Sequence, residues 1–190
     1  MSRQRRRLAA ALAGAAAAVL TVGAVMAFAD DEPDVDGEFV LDEPGIYSEP
    51  IPTTDLSGDP LPDVELLDAA GDTVSLASFV GKPLVINLWY STCAPCAREL
   101  RDFAEVDAEH AGHVQFVGIN PQDDVDTMLA FAEARGVEYP LLLDSELEFA
   151  SEVPIAAYPT TLFVSPEGRI VHQTNAIDAD QLRATIDEVF

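Results

Sequence analysis

Between Leu61 and Phe190 the apolar positions follow two rhythms that alternate along the chain. Asp63–Phe79 (DVELLDAAGDTVSLASF) alternates around a turn containing Gly71, which predicts two short strands joined as a hairpin. Pro83–Tyr90 (PLVINLWY) is a continuous apolar run of strand length, as expected for a strand buried on both faces. From Cys96 onward Leu100, Phe103, Ala104, Ala108 and Ala111 recur at helical spacing, and Val114–Asn120 (VQFVGIN) reads as another buried strand. Asp123 or Asp124 can cap a helix running to Arg135, with Gly136 as its terminator. YPLLLD and TTLFV follow as strands, and SPEGR turns the second into IVHQ. Asp178 then opens a last helix with Leu182, Ile186 and Val189 inward. This alternation predicts an α/β domain, a mixed sheet covered by helices on both faces.

The amino terminus has a different pattern. MSRQRRR is followed by Leu8–Ala29, 22 residues without a charge, half of them alanine. As a helix the run would measure roughly 33 Å, enough to cross a hydrocarbon core. Four arginines before it and an acidic chain after it orient the amino terminus toward the cytoplasm. Residues 1–29 are therefore expected to be a membrane anchor, or a signal peptide cleaved after the small-residue sequence Ala27–Ala29. No cysteine lies near the end of the run, which excludes a lipoprotein anchor. Both readings put the rest of the chain outside the cytoplasm, where disulfides persist.

Charge separates the next segment. Residues 30–60 hold 11 Asp or Glu, no Lys or Arg, and five prolines, the composition of an acidic linker rather than a packed domain. The folded domain is expected over residues 61–190. With four of the ten basic residues upstream, residues 30–190 carry 34 acidic and six basic groups, a net of −28. Such a surface repels phosphate backbones and argues against nucleic-acid binding.

The chain's 2 cysteines, Cys93 and Cys96, sit where the buried strand gives way to a helix. Thiols at this spacing on a first helical turn can close a small disulfide without moving the backbone. The free amides and positive dipole end of the helix stabilise a thiolate at Cys93, and Pro95 suits a first-turn position. Thiol–disulfide exchange needs that arrangement: an attacking sulfur of low pKa, and a second sulfur close enough to resolve the mixed disulfide. A purely structural disulfide would close a loop too short to constrain the unfolded chain. The spacing Cys93-x2-Cys96-x13-His110-x2-His113 superficially resembles a zinc site, but its histidine spacing is short and the intervening residues read as one helix. No metal is expected, and His110, His113 and His172 read as surface histidines.

The segment NLWYSTCAPCARE resembles the active-site segment of the TlpA/ResA-like thioredoxin family. GVEYPLLLDSE is similar to that family's inserted helix and strand, and YPTTLFVSPEGRIV to its cis-proline loop and following hairpin. The resemblance covers about Leu61 to Phe190. It implies a thioredoxin fold: a central mixed sheet flanked by helices, with an N-terminal β-hairpin and an inserted helix–strand. Carried across, Cys93 matches the attacking cysteine and Cys96 the resolving one. Pro159 matches the cis-proline facing them, with Tyr158 and Thr160 beside it as substrate-binding positions. Glu99 matches an acidic residue that tunes proton transfer, Trp89 a core aromatic, and Asn87 the place of a buried aspartate in cytoplasmic thioredoxin. Three positions depart from the pattern: Thr92 stands in place of a tryptophan, Tyr90 in a place often small, and Arg101 in place of a kinking proline.

The expectation is an extracytoplasmic thiol–disulfide oxidoreductase that needs no metal or organic cofactor. The resemblance implies a reductant acting on protein thiols or disulfides, possible substrates being apocytochrome c thiols, and resupplied by a transmembrane electron donor. A peroxiredoxin is the rival enzyme class, although its P-x-x-x-T-x-x-C signature requires threonine where Tyr90 stands. A thioredoxin-fold binding module without redox turnover is the rival outside enzymes.

Overall fold

A computed structural model of the chain describes residues 55–190. The expected anchor or signal at 1–29 and residues 30–54 of the expected linker at 30–60 lie outside the described residues. Among the described residues no helix is long and apolar enough to cross a membrane.

Strand β1 (Glu65–Leu67) and β2 (Thr73–Ser75) form the expected hairpin. At its turn Asp68 Oδ1 accepts the N–H groups of Ala70 and Asp72, and Gly71 takes a φ of +83° that side chains rarely adopt. A single 3-10 turn, Leu76–Phe79, follows. β3 (Leu84–Leu88) is buried at every position, as its unbroken apolar run requires. It pairs in parallel with β4 (Gln115–Asn120) and antiparallel with β6 (Thr160–Val164). β5 (Leu141–Leu143) runs parallel to β4, and β7 (Ile170–Thr174) antiparallel to β6. The seven strands make one mixed sheet in the order β2-β1-β5-β4-β3-β6-β7.

Among the described residues four α-helices pack on this sheet: α1 (Ala94–His110), α2 (Val125–Glu133), α3 (Glu148–Glu152) and α4 (Ala179–Val189). The crossovers β3–α1–β4 and β4–α2–β5 step in the same direction across the sheet. Their shared right-handedness therefore puts α1 and α2 on one face. Leu100, Phe103, Met128, Ala132, Leu182 and Ile186 from α1, α2 and α4 meet Val85, Phe116 and Phe163 there. The opposite face is covered more thinly, by Leu76 of the 3-10 turn, Phe149 of α3, Val153 and Leu56.

Caps account for the helix starts. Asp124, not Asp123, caps α2 by accepting the Thr127 N–H, and Asp178 and Gln181 form a reciprocal capping box on α4. One expectation fails on α1. Ala108 and Ala111 are exposed, and the buried stripe is Cys96, Glu99, Leu100, Phe103 and Val106. Small alanines do not reveal a helix face, whereas the sheet below selects the larger Val106.

Gly118 marks the tightest approach in the sheet. A Cβ on this β4 residue would stand 2.7 Å from Leu141 Cδ2 and 2.8 Å from Trp89 Nε1. Gly118→Ala should therefore destabilise the fold by about 1–3 kcal/mol through overpacking. Chemical denaturation measures this, and a change within about 0.5 kcal/mol would show that the contact yields freely.

Candidate functional site

β3 ends at Leu88, and five residues later Cys93 becomes the N-cap of α1. Its sulfur accepts the Cys96 N–H at 3.3 Å, in the role a capping oxygen usually plays. Cys93 and Cys96 form a disulfide, with Cα atoms 5.3 Å apart. Cys93 is 5% exposed and Cys96 is fully buried, so Cys93 is the more accessible of the pair. α1 is one continuous helix, which puts Cys96 about 21 Å from His110 at 1.5 Å per residue. The four residues of the zinc-like spacing therefore cannot share an ion. His110 and His172 are half-buried rather than on the surface, the one with Nδ1 2.9 Å from Val106 O and the other packed on the Phe163 ring.

The loop before β6 lies against the cysteine loop. The Tyr158–Pro159 peptide bond is cis, and Pro159 is buried. Tyr158 meets Tyr90 edge to face, with ring centroids 5.2 Å apart. Thr160 faces inward, its hydroxyl donating to Ala157 O at 2.7 Å. The Tyr158 ring thus packs on the loop that carries the cysteines, while the Thr160 hydroxyl braces its own loop.

Glu99 is 3% exposed, one turn beyond Cys96 and under α1. Its Oε1 accepts the Ile177 N–H at 3.3 Å, and Oε2 has no hydrogen-bond partner among the described residues. Asn87 and Thr161, opposite one another on β3 and β6, lie alongside without good hydrogen-bond geometry to it. Burial is the main cause that pushes the carboxyl up from 4.5 to about 8. The Ile177 N–H, Asn87 and Thr161 offset this in part, and the negative Asp102 adds to it. Glu99 is therefore not a solvated helix acid, and at neutral pH it is mostly protonated. Trp89 is fully buried and stacks on Phe131, with ring centroids 5.7 Å apart.

Sequence reasoning missed the groups that hold this segment. Arg135 lies over the Phe131 ring and donates from Nε to Ala97 O at 3.1 Å. Asp123 reaches back to Ser91, in the loop ahead of Cys93. The adjacent pair Asp123–Asp124 held the one available signal, since a helix has a single N-cap and the other aspartate was left without a task.

Residues 57–173 match the AhpC/TSA family. The chain is 27% identical to the thiol-disulfide oxidoreductase ResA of Bacillus subtilis over 115 residues, 60% of this chain and 64% of that protein. It therefore spans less than two thirds of that relative. It is also 27% identical to the sporulation thiol-disulfide oxidoreductase A of the same organism, over 62% of this chain and 74% of the relative. Among solved structures it resembles a putative protein disulfide isomerase from Bacteroides thetaiotaomicron, with TM-score 0.63 and 24% identity over 70% of this chain and 87% of that one. A secreted Mycobacterium tuberculosis disulfide oxidoreductase homologous to DsbE gives a TM-score of 0.59 and 24% identity, over 66% of this chain and 96% of that one. These likenesses establish a thioredoxin-like fold. With more than half of its 190 residues matched, and its cysteine pair inside the matched region, the chain belongs to the AhpC/TSA family.

Proposed function

We propose that this protein is a thiol–disulfide oxidoreductase acting outside the cytoplasm as a disulfide reductase. The observation that carries the reading is the Cys93–Cys96 pair at the start of α1, with Cys93 the more accessible of the two and the cis-proline loop packed on the cysteine loop through Tyr158 and Tyr90. A four-residue disulfide loop contributes little stability, so a binding module would gain little from keeping the pair. A peroxidase of the expected pattern would need a threonine hydroxyl at position 90, where the Tyr90 ring instead packs on Tyr158.

In the reduced protein the amide dipoles of the first turn of α1 stabilise the Cys93 thiolate. Cys93 Sγ attacks a substrate disulfide held against the loop of Tyr158 and Pro159, which the Thr160 hydroxyl braces from inside. A Cys93–substrate bond forms, the substrate S–S bond breaks, and the departing thiolate takes up a proton. Cys96 Sγ then attacks Cys93 Sγ, closing the internal disulfide and releasing the second substrate thiolate. Two electrons pass from the protein to the substrate, and a transmembrane donor must return them. Glu99, whose carboxyl is pushed up to about 8, is ionised in a minor fraction of molecules at neutral pH, and in that form it takes the proton that Cys96 releases as it attacks.

Residues 1–29 serve in this reading as the anchor or signal, 30–60 as the acidic linker, whose last residues from Leu56 onward already pack on the domain, and 61–190 as the redox domain. The four arginines and the uncharged run support that orientation. The cysteine pairs of apocytochrome c, oxidised to disulfides and returned to thiols in cytochrome c maturation, are the proposed substrates. A reporter active only in the cytoplasm, fused after Phe190, should be silent, and activity there would overturn the outward orientation.

Cys96→Ser should stall the cycle with substrate covalently held on Cys93, while Cys93→Ser traps little. Mass spectrometry of reducible adducts distinguishes the two, and equal trapping by both would remove Cys93 as the nucleophile. Insulin reduction by the wild-type protein tests the activity itself.

Glu99 also ties stability to pH. The folded protein keeps a proton that the unfolded chain loses near pH 4.5, so stability falls as pH rises toward about 8 and levels off above it. Glu99→Gln removes this dependence. In the oxidised proteins, the stability of the variant relative to wild type should grow by up to about 1.4 kcal/mol per pH unit across that window. Denaturation curves at several pH values measure it; a constant difference would mean that Glu99 is ionised in the folded state.

A further inference from the structure

The loop that presents Cys93 has few hydrogen bonds of its own. Past β3, the Trp89 N–H still reaches Ile119 O at 3.1 Å, and the Cys93 N–H closes a turn onto Tyr90 O at 3.2 Å. Ser91 is the second residue of that turn, a position whose N–H the turn leaves free. Asp123 supplies the partner from across the sheet. Its Oδ2 accepts the Ser91 N–H at 2.7 Å and its Oδ1 accepts the Ser91 hydroxyl at 2.6 Å. The carboxylate is held in turn, since Asn120 Nδ2 donates to Oδ2 at 2.7 Å. Asn120 Oδ1 accepts the N–H groups of Gln122 and Asp123 at 3.0 and 2.9 Å, which rigidifies the whole turn after β4.

We infer that Asp123 is a positioning residue for the redox pair: through both polar groups of Ser91 it holds the loop that keeps Cys93 Sγ at the N-cap of α1. This builds on Cys93 as the reacting sulfur and names what keeps that sulfur in place. Gripping the N–H and the hydroxyl of one residue fixes its backbone and its χ1 together. The stabilisation that a helix N-terminus gives a thiolate falls off within one turn, so a loose loop would lose it. The negative charge of Asp123 acts in the opposite sense, because a nearby carboxylate disfavours a thiolate. Three donors already engage this carboxylate, which leaves the hold on the loop as the larger effect.

The opposed signs make the inference testable by direction. In full-length reduced protein carrying Cys96→Ser, Cys93 is the single thiol, and its iodoacetamide alkylation is followed against pH. The other ionisable groups near it, Glu99 on α1 and the Tyr90 and Tyr158 phenols, are the same in every variant. Asp123→Ala should move the profile up by about 0.5 pH unit and slow alkylation at pH 7 about threefold. Ser91→Ala changes no charge and should move it the same way by less, and the double variant should move it by less than the sum. A downward or absent shift in Asp123→Ala would leave only its charge, or nothing, acting on Cys93. An unmoved Ser91→Ala profile, or full additivity, would equally overturn the clamp. Ser91→Ala removes one hydroxyl and keeps the test open if Asp123→Ala does not fold. Alkylation reports how Cys93 is presented whether or not the protein reduces disulfides, so a failure of insulin reduction would bear on the proposed activity alone.

Discussion

The site depends on a single junction, the four residues in which a fully buried strand becomes a helix whose N-cap is Cys93. β3 lies between β4 and β6 at the centre of the mixed sheet, so its end is fixed by ladders on both sides. The free N–H groups of the first turn of α1 need an acceptor, and the Cys93 sulfur stands where a serine or aspartate oxygen would serve. Sulfur caps weakly. In the proposed mechanism it receives in exchange stabilisation of its anionic form once reduced, so a modest cost to the helix becomes thiol reactivity.

Below that junction the sheet breaks its own apolar rule. Asn87 on β3 and Thr161 on β6 face Glu99 of α1 in a layer otherwise built from Val85, Phe116 and Phe163. Burying a carboxyl with one hydrogen bond is destabilising wherever the group would be ionised in water. The fold accommodates it as the neutral acid, and a group so displaced can exchange a proton near neutral pH. Local cost at a candidate site is offset by the well-packed strands around it.

α1 is secured along its length by cations that are scarce in this chain. Arg135 reaches the Ala97 carbonyl in its second turn, and Arg183 of α4 pairs with Glu105 and Glu109 further along. The exposed Arg183 pairs contribute little stability singly, and their value is to hold two acidic helices side by side. The Arg135 contact is different in kind. It joins a backbone acceptor beside Cys96 to the Phe131–Trp89 stack, so that α2 braces the redox segment from its far end.

Much of this was legible from the sequence, because strands buried on both faces leave continuous apolar runs and caps leave Asp or Cys at defined offsets. PLVINLWY, VQFVGIN and TTLFV, the Gly71 hairpin and the start of α4 at Asp178 all follow from such local rules. The cysteine pair was equally legible, since its chemistry depends on a spacing of three and a helix start. Tertiary structure alone decided which face of α1 is buried, where Val106 displaces the expected Ala108. It also decided that Glu99 goes inside, for a lone acid on a helix carries no mark of what will cover it. Only the folded chain could bring Asp123 to Ser91 and Arg135 to Ala97. Periodicity reports how a residue sits on its own element. Which partner it meets across the sheet is set by crossover handedness and strand order, and those are properties of the assembled chain.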